Sequence, residues 1–208
     1  MPEKDSPDRI VFVGDRLTAD GRWQDWFPEH EALNFGVAGQ TTEDLLGRRD
    51  EIVAARPDAI VMLIGSNDFS ARRRSAEYVV RNVESILWDL RRDLPGVRLL
   101  LQSIIPRGHE LADEIRNANR HLWQFAATVR AQYLDLWPAL ALPDGELNPA
   151  YSDDREHLNE AGYEAWLNEL RPGLERLYDA PPMSRPISVA DVQAALRDAS
   201  GQAGDSRA

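Results

Sequence analysis

The sequence contains no cysteine, which excludes disulfide frameworks, thiolate catalysis and cysteine metal sites. It has no apolar run approaching the ~18 residues of a membrane span. Its opening residues, MPEKDSPDR, hold no apolar signal core, so a cytoplasmic protein is expected. Lysine is almost missing: Lys4 is the only one among 24 basic residues, against 35 acidic residues. The resulting net charge of −11 argues against binding nucleic acid or an anionic membrane by general attraction, while leaving room for a local basic pocket. What is present is ordinary for a globular protein. The 208 residues are 43% hydrophobic and 28% charged, enough for one full core rather than two.

Residues 1–8 are polar, carry Pro2 and Pro7, and are read as a loose N-terminus. The β-branched run Ile10-Val11-Phe12-Val13, stopped by Gly14 and Asp15, is expected to be a buried first strand. Trp23, Trp26 and Phe27 recur at helical spacing before Pro28 and are read as core packing on a short helix. Residues 32–36 (ALNFG) form a second strand, and Thr41 or Thr42 caps a helix running through Leu45, Leu46 and Ile52. The continuous apolar run 59–64 is typical of a central parallel strand. A long amphipathic helix follows over 75–94, with Val79, Val83, Ile86, Leu87 and Leu90 on one face. A fourth strand over 97–101, a helix over roughly 110–131, a fifth strand over 132–136, a long loop to about 156 and a last helix fading near Tyr178 complete the pattern. Strands alternating with helices imply right-handed crossovers and a parallel sheet. The expected fold is a three-layer α/β/α sandwich with five strands over 9–179. The proline-broken segment 180–208 is read as a linker and tail, with a short helix possible from Ser188 to Leu196.

Ligands of open parallel sheets sit beyond the carboxyl ends of the strands, so the residues after each strand are the place to look for chemistry. Gly14-Asp15-Arg16-Leu17 follows the first strand, Asn34 through Gly39 ends the second, and Gly65-Ser66-Asn67-Asp68 follows the third. Asp154-Arg155-Glu156-His157-Leu158 precedes the last helix. A glycine N–H and a side-chain amide can converge on a developing oxyanion. Histidine as a residue type accepts a proton near neutral pH, and a carboxylate three residues earlier can fix its tautomer. His30, His109 and His121 stand in polar helical or loop contexts and are read as solvated surface.

Together these segments resemble the SGNH or GDSL hydrolase family, and within it the branch of the platelet-activating-factor acetylhydrolase catalytic subunits. LNFGVAGQTT, IGSND, SIIPRG at 103–108 and HLNEAGY at 157–163 carry the likeness, over about residues 9–178. The resemblance implies a flavodoxin-like sheet and ester hydrolysis, with short acyl groups such as acetyl favoured. It implies an oxyanion hole from the residue-16 N–H, the Gly39 N–H and the Asn67 side chain, and a His157 base oriented by Asp154. No cofactor and no metal are implied, and a homodimer is.

Arg16 departs from the family. The nucleophilic serine belongs at this position, and arginine stays protonated and offers no nucleophile. Thr18 points elsewhere if a helix starts here, Ser66 lies on another loop, and no Gly-x-Ser-x-Gly elbow exists. Three readings stay open. Asp154 and His157 activate water or a substrate hydroxyl while Arg16 grips a carboxylate or phosphate of the substrate. Alternatively, Arg16 neutralises Asp154 or the supporting Asp15, leaving a non-catalytic binding or interaction protein. In the third, an ordinary esterase has been silenced by an introduced substitution. Arg72-Arg73-Arg74 is read either as a solvated run or as a basic lip on the pocket mouth. The expected partner is a small ester or anionic ligand.

Overall fold

A computed structural model describes residues 7–179. The expected tail helix near 188–196 lies outside the described residues. Five parallel strands, β1 (Arg9–Gly14), β2 (Glu31–Gly36), β3 (Ala59–Leu63), β4 (Arg98–Gln102) and β5 (Gln132–Leu134), form one sheet in the order β2-β1-β3-β4-β5. The three central strands are those with the unbroken apolar runs, because parallel strands covered by helices are buried on both faces. Their side chains alternate between two cores. Val11, Val13, Ile60, Met62, Leu99 and Leu101 point to one, and Ile10, Phe12, Ala59, Val61, Leu63 and Leu100 to the other.

On the first face pack α3 (Thr42–Gly47), α4 (Arg49–Ala54), α6 (Ala76–Asp93) and α7 (Ala112–Ala126). On the second pack α1 (Arg16–Ala19), α2 (Trp23–Trp26), α8 (Trp137–Leu140) and α9 (Glu160–Asp179). Trp23 is buried between Phe12, stacked at 4.2 Å, and Trp166, edge-on at 5.2 Å. The core reading therefore holds for Trp23 and Phe27, while Trp26 is only half-buried.

Several expected elements differ in detail. The helix through Leu45 and Ile52 is two helices. Thr41 caps α3 with a reciprocal Thr41–Asp44 capping box, and the chain then breaks at Arg48 (φ −104, ψ 5). Residues 65–68 do not form a loop: α5 (Ser66–Ser70) starts directly after Gly65. The helix over 110–131 is α7 flanked by two 3-10 turns, and it is closed by Arg130 in the left-handed region. The long loop before α9 contains α8 and one isolated bridge, Ala141 to Leu147. His30 is not simply solvated. It is half-buried, with its ring stacked on Tyr178 at 5.3 Å. His109 and His121 are exposed.

Candidate active site

At the carboxyl end of β1 the chain turns straight into α1, and Asp15 makes that turn. Its side chain is 2% exposed and accepts the Leu17 N–H at 3.0 Å, the local bond that makes aspartate a good N-cap. Burial pushes the Asp15 carboxyl up to about 6, against the opposing effects of the Leu17 N–H and the Arg107 cation. Arg16 follows as the first helical residue, where backbone N–H groups have no intrahelical partner. Its side chain is exposed, and Nε donates to Asp20 Oδ2 at 3.2 Å. The idea that Arg16 neutralises Asp154 or Asp15 is thus corrected: the i,i+4 partner on its own helix is the one it meets.

The β2 loop is drawn against this turn by Asn34, whose Nδ2 donates to the carbonyls of Ala19 (2.9 Å) and Gly21 (3.2 Å). The Val37 N–H donates to Gly14 O at 3.0 Å. Gly39 then adopts φ +75, a left-handed conformation that disfavours a side chain. From α5, Asn67 Nδ2 donates to Gln40 O at 3.0 Å and approaches Asp15 Oδ2 at 3.4 Å. The neighbouring Asp68 is buried and accepts the Thr42 N–H (3.0 Å) and hydroxyl (2.6 Å), locking the start of α3 to α5. Burial raises the Asp68 carboxyl, and the Thr42 bonds oppose that rise.

The fourth segment arrives from the loop before α9. Asp154 Oδ1 accepts the backbone N–H groups of Glu156 (2.8 Å) and His157 (2.7 Å), and Oδ2 lies 2.5 Å from His157 Nδ1. The bond to the His157 side chain, reinforced by its backbone N–H, holds the Asp154 carboxyl well below the usual carboxylate range. A ring engaged at Nδ1 keeps its Nε2 for proton transfer.

These segments meet. Asp15, Arg16, Gly39, Asn67 and His157 all line one cavity of about 180 Å³, together with Leu17, Ala38, Arg107 and Glu156. None of its lining residues carries a hydroxyl. Ser66 is fully buried with its Oγ unpartnered, and the Thr18 side chain is packed where a Cβ on Gly14 would strike it. Two lining residues, Arg107 and Glu156, were not singled out from the sequence. Arg107 lies in the segment after β4, so the rule that pointed to the other strand ends applied to it too. The arginine run at 72–74 is absent from this cavity. Arg72 and Arg74 line a neighbouring depression with Thr41, Glu43, Asp44, Asp68 and Tyr78, and Arg74 sits over the Tyr78 ring at 4.7 Å. A larger groove of about 440 Å³, between Trp123, Tyr133 and Trp137, contains none of the motif residues.

The sequence of this chain matches the model of the GDSL-like lipase/acylhydrolase family over residues 12–165. The chain belongs to that family. Among its acylhydrolase relatives, the human platelet-activating factor acetylhydrolase IB subunit alpha1 is 29% identical over 185 residues, covering 84% of this chain and 78% of the relative. The rat alpha2 subunit is 26% identical over 198 residues, covering 90% and 85%. A GDSL-like lipase from Bacteroides thetaiotaomicron superposes with a TM-score of 0.74 at 21% identity, covering 81% of this chain and 88% of the other. A variant of an acetylxylan esterase from Geobacillus stearothermophilus gives 0.65 at 20% identity, covering 87% and 98%. At these identities the structures speak for the fold, a five-stranded parallel sheet with helices on both faces.

Among the described residues, Asp154, Glu156 and His157 are the one group whose donor atoms come close enough to hold a metal ion. Each already has a partner: Asp154 and His157 hold each other, and Glu156 Oε1 takes a bond from Arg107 Nη2 at 3.2 Å. Among the described residues no helix is long and apolar enough to cross a membrane.

Proposed function

We propose that this chain hydrolyses small carboxylic esters with water as the nucleophile, activated by His157. The observation that carries the reading is the single cavity that gathers a carboxylate-held imidazole, a left-handed glycine and a side-chain amide around no hydroxyl. In this mechanism His157 Nε2 takes a proton from water, and the oxygen attacks the ester carbonyl carbon. The developing oxyanion is met by the Gly39 N–H, the Arg16 N–H and the Asn67 N–H that turns from its long 3.4 Å contact with Asp15, each such donor contributing on the order of 3 kcal/mol once bound substrate has displaced water. Collapse of the intermediate breaks the ester C–O bond, and the leaving alkoxide takes the proton from imidazolium. Ester and water become acid and alcohol, with His157 and Asp154 restored.

Arg16 stands at the rim with an exposed guanidinium, suited to grip a carboxylate or phosphate elsewhere on the substrate. The size of the cavity favours an acetyl-sized acyl group, in keeping with the acetyl esters named for the relatives. A family dimer and a cytoplasmic location belong to the same reading. One observation favours a second reading, a binding protein without turnover: a triad lacking its nucleophile keeps only about 10³–10⁴-fold acceleration from its oxyanion hole and binding.

Hydrolysis of phenyl acetate separates the two, using the protein itself, His157→Ala and Arg16→Ser. The water mechanism expects turnover in the protein itself that is lost in His157→Ala. An inert protein that gains His157-dependent hydrolysis on Arg16→Ser would replace it with the binding reading. Turnover that survives His157→Ala would remove the imidazole from either account.

A further inference from the structure

We propose that Arg107 is the positioning residue of this site, clamping the loop that carries Asp154 and His157 to the helix that carries Asn67. The inference rests on the functional reading above for the roles of those residues, and on contacts for the clamp itself. The Arg107 side chain is 6% exposed. Nη1 donates to Glu156 O at 2.9 Å, and Nη2 donates to Glu156 Oε1 at 3.2 Å, so the loop is held through main chain and side chain together. Nη2 also donates to Ser70 Oγ at 3.2 Å, one turn beyond Asn67 on α5. Its own carbonyl accepts the Leu147 N–H at 2.8 Å, which ties down the earlier part of the same loop.

The remaining bonds of the loop explain why such a clamp matters. Asp154 satisfies the N–H groups of Glu156 and His157 from within the loop, which fixes the imidazole relative to Asp154 alone. Arg155 is held in the left-handed region (φ 63) and pairs with Glu146 at 2.6 Å, again inside the long loop. Arg107 supplies the bonds from Glu156 to the rest of the fold. Burying a guanidinium is costly, and apolar packing would hold a loop at less expense. Here Nε is left buried without a partner, while burial lowers the guanidinium pKa against the pull of Glu156 and Asp15. That cost is accepted where a planar fork must reach a carbonyl, a carboxylate and a hydroxyl at once, which a lysine cannot do.

The test compares the protein with Arg107→Met and Arg107→Lys by steady-state hydrolysis of phenyl acetate and by amide hydrogen exchange along the chain. A misplaced imidazole lowers kcat on the order of 10²-fold, with KM little changed. Arg107→Lys, which keeps the charge and one reach, recovers part of that loss. In Arg107→Met the amides of residues 154–158 exchange faster while those of β1, β3 and β4 keep their protection. Equal acceleration across the sheet, or none at 154–158, overturns the proposal. If the unaltered protein hydrolyses no ester, the functional reading falls, and the exchange pattern still decides whether Arg107 is the clamp.

Discussion

Where a serine at the first position of α1 would place a hydroxyl in the cavity, arginine places a cation at its rim and leaves the backbone N–H behind. Chemistry at this site then depends on the tautomer of His157, which the Asp154 carboxylate sets through Nδ1. Asp154→Asn keeps the shape but supports the wrong tautomer, so any His157-dependent hydrolysis falls on the order of 10⁴-fold. Measured kcat for that variant, with the protein still folded, checks this. Asp15 gives a second prediction, read in stability. The native carboxyl titrates at about 6 against an ordinary 3.8, so between those values the folded state binds more protons than the unfolded chain, and stability falls as pH rises. Asparagine caps a helix as well as aspartate and carries no such titration. The stability of Asp15→Asn relative to the parent is therefore expected to rise by up to about 3 kcal/mol between pH 4 and 7. Denaturant midpoints that differ by a constant across that range would refute it. At this scale the meeting of Asp15, Arg16, Gly39, Asn67 and His157 in one cavity was legible from short motifs, three of them after strands and one, with Asp154 three residues ahead of His157, before the last helix. Arg107 and Glu156 stood inside two of the quoted segments, but their pairing was not legible, because it rests on burial and a contact across 49 residues.

Elements were legible to the extent that each carried its own period or stop signal. The unbroken apolar strands and the one-sided stripe of α6 did, and their bounds shift by a residue or two at most between sequence and structure. The break between α3 and α4 did not show, because Leu45 and Ile52 lie seven residues apart and keep one face whether or not the turn at Gly47-Arg48 is regular. Nor did α5, where a loop was expected. Its five residues are too few for a helical period, and its start is set by the geometry at Gly65. The seating of α1 on β2 offers a test. A Cβ on Gly36 would stand 2.2 Å from the Ala19 backbone N and 2.6 Å from the Thr18 carbonyl carbon, neither of which can swing away. Gly36→Ala is expected to cost about 3 kcal/mol, the upper part of the range for overpacking. Gly47→Ala is the control: nothing lies within 4 Å of its Cβ, and as a helical position it gains up to about 1 kcal/mol. Thermal unfolding of the two variants should therefore move in opposite directions, and a shared direction would mean that α1 and β2 can separate without cost.

Across the whole molecule, the sheet divides the apolar interior while joining it. Each central strand sends alternate residues to opposite cores, so neither helical layer can leave without stripping half the side chains from β1, β3 and β4. Leu87 on α6 and Leu170 on α9 are both fully buried, one in each core, with the sheet between them. Truncating either to alanine removes a buried isobutyl group and is expected to cost about 2–5 kcal/mol. Because the two sites share no neighbour in either cluster, the double variant should lose the sum to within about 0.5 kcal/mol. The residues described form one cooperative body in this view, so urea unfolding followed by far-UV and by tryptophan signals should give coincident transitions for both single variants. Trp23, Trp26 and Trp166 belong to the second core, so with Trp88, Trp123 and Trp137 replaced by phenylalanine the tryptophan signal reports from that core alone, while the far-UV signal sums α6 and α7 with α9. If Leu87→Ala shifted the helical signal to lower urea while the tryptophan transition stayed in place, the layers would be unfolding separately. The site would then be split between the layers, since α1 belongs to the second core while α5, which carries Asn67, seats Phe69 in the first.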